Sequence, residues 1–436
     1  MTILGVVFAV GLLILLIAAL RVQPFVAFIV TALVAALLLG LPLEQIPKSI
    51  ERGIGDMLGP LSIVICLGAM FGKLIADSGA AQRIAESLMH LFGPKRVPLA
   101  MAITGFVVGI PLFYNVGFVL MVPLVFSVVY RSKLPAMLVG IPMLSGLSIA
   151  HGFLPPHPSP TALVAQFGAD MGRTLLYGIV VSIPTLLIAG PLFARSLKRI
   201  ASGPSELFKP TTLSEAELPG TFNSFACALL PVILIGGATA LAYVDFAPSS
   251  RTLIEFVGNP MIVMLASLFV GSMTLGVARG RKLAQLMEGY GHAIRDIAGI
   301  LLIIAGAGAL KQVFVDSGVN TELGALLGNI PIHPLILGWL VAFAIRIALG
   351  SATVAGLTAA GIVAPLIQIT GVDPNLMVLA VGAGSLMCSH VNDSAFWMFK
   401  EYFQVSLRDT FRSWTMMETL VGSLGLIFVL LLNAWL

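Results

Sequence analysis

Residues 346–365, RIALGSATVAGLTAAGIVAP, place an arginine, a serine, two threonines, three glycines and a proline inside one of the longest apolar regions of this chain. A helix that merely crosses a bilayer needs none of them. Breaking a helix in hydrocarbon frees backbone N–H and C=O groups that cost several kcal/mol each if left unpaired, so a break survives only where protein or a wet cavity satisfies it. A break here therefore predicts a cavity. The N-terminus of the second half-helix would point unpaired N–H groups and about half a positive charge into that cavity, which suits a carboxylate. Ser351 and Thr353 would add hydroxyl contacts beside Gly350. Their other reading is as small residues that let helices approach closely. Arg346 likewise has two readings, a counter-charge for an anion or a side chain snorkelling to the interface.

The rest of the chain supplies the setting. Of 436 residues, 58% are hydrophobic and 10% charged, too little polar surface to coat a water-soluble globule of this size. Apolar runs long enough for helical spans recur throughout, which predicts an all-α polytopic membrane protein with about 12 membrane segments. The net charge of +4 comes from Lys and Arg gathered in short inter-helix loops, so no nucleic-acid partner follows. Cys66, Cys227 and Cys388 sit in apolar runs without paired or metal-ligand spacing, and no metal site or cofactor is expected. Phosphate-binding loops and hydrolase motifs are absent, and no stretch is long enough for a nucleotide-binding domain. The first apolar run lacks a basic leader and reads as a retained span.

The most polar stretch, 196–222, divides the chain into a first membrane repeat, 1–195, and a second, 223–436. An offset of 239 residues places Asp77-Ser-Gly over Asp316-Ser-Gly, His151 over His390, Asp170 over Asp409 and Arg173 over Arg412. The same offset superposes the interruption Gly109-Ile-Pro-Leu-Phe-Tyr114-Asn115 on Gly350–Val354. Two broken or re-entrant helices are thus expected in corresponding places. Basic loops put 196–222 in the cytoplasm and give the two repeats inverted topology with both termini outside. Tyr114 and Asn115 belong to the first break, and Asn115 offers a further hydrogen-bonding side chain.

After hydrophobic spans come His151-Gly-Phe-Leu-Pro-Pro-His157-Pro and Ser389-His390-Val-Asn392-Asp393. His151, His390 and Asp393 are candidates for a coupling proton, with helix caps and a rigid Pro-rich external loop as the alternative. Lys73 with Asp77, and Lys311 with Asp316, are expected to pair within their helices. Glu418 could reach either the cavity or the headgroups.

Together with Gly68–Gly79, Pro111–Leu120, Lys311–Val319 and Ser413–Thr419, these motifs resemble the gluconate permease (GntP) family of bacterial secondary transporters, within the ion transporter superfamily, over essentially the whole chain. The resemblance implies import of D-gluconate or a related sugar acid across the bacterial inner membrane by proton symport, without a cofactor. The candidate substrate contacts are Tyr114, Asn115, Arg346, Gly350, Ser351, Thr353 and Asn392. A facilitator, or a symporter of another organic anion driven by Na+, remains open, as does a homo-oligomer. Many family members carry a Glu where this chain has Asn115, which either shifts proton coupling to Asp393 or marks a different substrate.

Overall fold

The computed structural model describes residues 2–112, 114–203, 213–241, 244, 248–319 and 331–436. All regular structure among them is helical. In the first part of the chain the helices are α1 (Thr2–Ile14), α2 (Pro24–Leu38), α3 (Ile46–Asp77), α4 (Ala80–Phe92), α5 (Val97–Gly109), α6 (Tyr114–Ser132), α7 (Ala136–Phe153), α8 (Pro158–Phe167) and α9 (Met171–Leu187). After the polar stretch come α10 (Thr221–Leu241), α11 (Pro248–Val257), α12 (Pro260–Gly271), α13 (Leu283–Asp316), α14 (Pro334–Leu349), α15 (Ala352–Thr370), α16 (Pro374–Leu386), α17 (Ser394–Phe403), α18 (Leu407–Thr410) and α19 (Met416–Trp435). The order repeats: a 32-residue helix ending at Asp77 is matched by a 34-residue helix ending at Asp316, and each precedes a broken pair followed by a second broken pair.

This is a multi-pass membrane protein. Eight helices among the described residues are long and apolar enough to span, or up to nine if the pair 80–92 and 94–109, bent by 111° at Gly93, counts as one. The expected total of about 12 also counted α1, α2 and α16, which are apolar but only 13 to 15 residues long, and the broken segment 99–130. Of these, α16 is a half-helix that stops at a break. Outward-facing apolar side chains such as Val180, Ile183 and Leu187, spaced three and four residues apart on α9, form the stripe that lipid tails would cover.

Small residues set how closely the interior helices approach. The long helices α3 and α13 cross at Gly53 and Gly308, where a Cβ on either would strike the other's carbonyl oxygen. Ser49 on α3 donates to Asp316 at 2.7 Å beside this crossing. In the first part, Gly146 of α7 lies against the Ala102 carbonyl of α5; in the second, Gly384 of α16 lies against the Trp339 carbonyl of α14. These contacts bring backbone to backbone in the manner of small-residue packing in membranes, where dispersion replaces the hydrophobic effect as the driving force.

The Pro-rich run is not an external loop. Pro155 and Pro156 are buried, and Pro158 begins α8, whose residues are almost all buried. Proline at the start of a helix lacks an N–H that would have been unpaired there anyway, so the same residues that signal a loop here open a helix. Lys311 also departs from expectation. Its ammonium reaches the Gln166 carbonyl on α8 at 3.1 Å, while Asp316 takes Ser49 and Gln312. Lys73 and Asp77 do pair, at 2.8 Å.

Candidate functional site

Both expected breaks are present and both are satisfied by protein. Helix α5 ends at Gly109, and its last carbonyl accepts from His157 Nε2 at 2.5 Å, a bond that puts the proton on that nitrogen. Helix α14 ends at Leu349, and Asn392 Nδ2 donates to the Ile347 carbonyl at 2.7 Å. In each case the loop of the second broken pair answers the orphan carbonyls of the first, as burial in hydrocarbon demands.

At the second break Gly350 adopts φ +76°, and an added Cβ would drive into the backbone of Asn392. Only glycine suits both the left-handed turn and that approach. Ser351 then caps α15, its hydroxyl oxygen accepting from Val354 N–H, and its own proton stays available to a ligand. Asp393 caps α17 by accepting from Ala395 N–H at 3.0 Å.

Arg346 does not snorkel. It is 3% exposed, with Nη1 donating to the Gly350 carbonyl and Nη2 to Asp393, while its Nε has no partner among the described residues. Asp393 also accepts from Ser389, whose oxygen in turn accepts from Trp414 Nε1 at 2.7 Å. The guanidinium and carboxylate are therefore locked together at the point where α14 stops and α17 starts.

These groups line one cavity of about 830 Å³, within the roughly 300–1,000 Å³ typical of small-molecule sites. Tyr114, Arg346, Gly350, Ser351, Thr353 and Asn392 all reach it, and so do His151 and Asp393. Three half-helices, α6, α15 and α17, begin at its wall. The Tyr114 hydroxyl, His151 Nδ1 and Arg346 Nε are buried there without partners among the described residues, so a polar ligand would satisfy them. Tyr114 packs against His151 and Trp414, with ring centroids 5.4 and 6.2 Å away. At its other end the cavity reaches Lys73, Asp77 and Asp296.

Two expectations fall elsewhere. His390 is not on the cavity wall; it lies in the turn after α16, where its carbonyl accepts from Asp393 N–H at 2.8 Å. The side chain of Asn115 lies outside the described residues. Conversely, the sequence reading left Glu418 undecided, and the structure puts it in the cavity wall, 3% exposed and accepting from Ser148 at 2.8 Å. Its signal was present: Trp414 and Glu418 are four residues apart and share one helix face.

A family profile described as GntP family permease matches residues 1–435. The chain belongs to the GntP permease family. It is 47% identical to the Gnt-II system L-idonate transporter of Escherichia coli (strain K12), over 98% of this chain and 97% of that one. It is 46% identical to a high-affinity gluconate transporter of the same strain, over 98% and 99%. A gluconate permease of Bacillus subtilis (strain 168) is 43% identical over 98% and 99%. Among solved structures, the Alcanivorax borkumensis YdaH transporter, described as having an unusual topology, superposes with a TM-score of 0.67 at 16% identity, covering 95% of this chain and 98% of that one. That likeness concerns the fold alone.

Proposed function

We propose that this protein is a secondary active transporter, not an enzyme, that imports D-gluconate or a closely related sugar acid across the bacterial inner membrane by proton symport. The observation that carries the reading is the meeting of three half-helix N-termini and the buried Arg346 at one cavity wall. Helix N-termini and a guanidinium favour a carboxylate. The hydroxyls of Tyr114, Ser351 and Thr353 and the amide of Asn392 suit the polyol part of the same solute. Relatives of nearly equal identity are named for L-idonate and for gluconate, which differ only in configuration at C5, so the carboxylate and C2–C4 hydroxyls are the shared recognition elements.

In this proposal residues 1–195 and 223–436 are inverted repeats joined by a cytoplasmic segment at 196–222, and alternating access exposes the breaks to each side in turn. A titratable group on the cavity wall couples the solute to a proton. The decisive experiment is uptake of radiolabelled gluconate into proteoliposomes under an imposed pH gradient, with L-idonate and other aldonates as competitors. Accumulation above the external concentration, lost on adding an uncoupler, supports symport. Equilibration without accumulation would make the protein a facilitator, and accumulation driven by Na+ alone would replace the coupling ion.

A further inference from the structure

We infer that Glu418 carries the coupling proton. The inference rests on the symport reading above and names the residue that performs it. Two carboxylates face the solute cavity near the breaks, Asp393 and Glu418, and their surroundings give them different work. Asp393 is committed to structure: it takes the Arg346 guanidinium, the Ser389 hydroxyl and the Ala395 N–H in the first turn of α17. Removing its charge would free a buried cation and loosen a helix start, so cycling a proton on it in every turnover would dismantle the site twice per cycle.

Glu418 holds up nothing comparable. It forms no ion pair among the described residues, and its hydrogen-bond partner is the Ser148 hydroxyl. A hydroxyl can donate to a carboxylate and can equally accept from a carboxylic acid, so the contact persists in both protonation states after a simple rotation. The remaining groups that face it are Arg346 and Asp393, which act on it electrostatically across the cavity, together with Tyr114 on α6 and His151 on α7. The contact also joins helices from the two parts of the chain, Ser148 on α7 and Glu418 on α19. A wide turn at Phe411–Thr415 precedes α19 and helps set which face of that helix meets the cavity.

Proton balance is simple. The Glu418 carboxylate gains H+ from water entering the open cavity, becoming a neutral acid, and returns H+ to water on the other side; no bond in the solute changes. Occlusion with solute removes water and sets the solute carboxylate beside Glu418, a like-charge pair that the neutral acid avoids, so loaded occlusion requires the proton. The empty carrier brings no second negative charge and keeps water in the cavity, so it returns with Glu418 ionised, which is what ties solute movement to the proton.

The test uses the full-length protein in proteoliposomes and compares wild type, Glu418→Gln and Glu418→Asp for accumulation driven by a pH gradient and for gluconate exchange at equal pH. Exchange needs the loaded carrier to cross but needs no net proton movement. Glu418→Gln, a mimic of the protonated acid, is expected to lose accumulation while retaining gluconate exchange, and Glu418→Asp is expected to keep some accumulation. Gradient-driven accumulation by Glu418→Gln at the wild-type level would overturn the inference, and so would loss of exchange together with accumulation, since that marks a binding or structural role. A wild-type protein that does not accumulate under a pH gradient would instead remove the symport reading itself.

Discussion

Arg346 and Asp393 are a buried pair, with side chains 3% and 13% exposed, and the structure dictates how each should respond to loss of the other. Arg346→Gln leaves the Asp393 carboxylate in place without its cation, and breaking such a pair costs about 3–5 kcal/mol. Asp393→Asn leaves a buried guanidinium and should cost a similar amount. The double variant, Arg346→Gln with Asp393→Asn, removes both charges and restores hydrogen-bonding complementarity, so most of the loss should return, which requires a favourable coupling larger than the about 3–5 kcal/mol lost by either single variant. Thermal stability of purified protein in detergent, followed by size-exclusion after heating, reads this directly: both single variants melt early and the double variant recovers. Solute affinity should not recover. Loss of a hydrogen bond to a charged group is worth about 1.5–3 kcal/mol, which at 1.4 kcal/mol per decade corresponds to roughly ten- to hundred-fold weaker gluconate binding in the double variant. Neutral polyols, if bound at all, should be little affected. A double variant no more stable than the singles, or one that binds gluconate like wild type, would refute the placement of this pair between helix termini and solute.

Other outcomes follow from the same geometry. Gly350→Ala must hold a left-handed turn, at roughly 1–2 kcal/mol, and press its Cβ on Asn392; uptake should fall sharply, and normal uptake would mean that the turn is not needed. Thr353→Val keeps shape but removes a hydroxyl from the cavity, so initial-rate uptake should fall while the amount of protein in the membrane stays constant. Gly308→Val forces α13 away from Gly53, and the purified protein should melt well below wild type, whereas an unchanged melting point would place the α3–α13 contact elsewhere.

Much of this architecture is legible without coordinates, for identifiable reasons. The breaks announce themselves because Gly350, Ser351 and Pro111 interrupt otherwise unbroken apolar runs, and because one offset brings the two interruptions together. Arg346, Gly350, Ser351 and Thr353 stand out on that ground, and all reach the cavity. What composition hides is direction. Pro158 signals a loop by residue type, yet at the first turn of α8 it starts a buried half-helix. His390 matches His151 in sequence, but the second part of the chain fills the corresponding place with Asn392 and Asp393. Lys311 has Asp316 five residues away on its own helix, but a carbonyl from another helix takes it instead. Helix α4 bends by 111° into α5 at Gly93, a change of course that apolar content cannot report. Glu418 is a single acidic residue in a long apolar helix, and only packing against Ser148 distinguishes a cavity-facing carboxylate from one at the headgroups.

The central claim is that the broken ends of α5/α6 and α14/α15 meet in a water-accessible chamber that receives the carboxylate of a sugar acid. A cryo-electron microscopy structure with bound gluconate tests it most directly. The account predicts solute density beside Arg346, Ser351 and Tyr114, with the carboxylate toward the start of α15. Density elsewhere, or a solute-bound structure in which 109–115 and 350–354 run as unbroken helix against lipid, would contradict it.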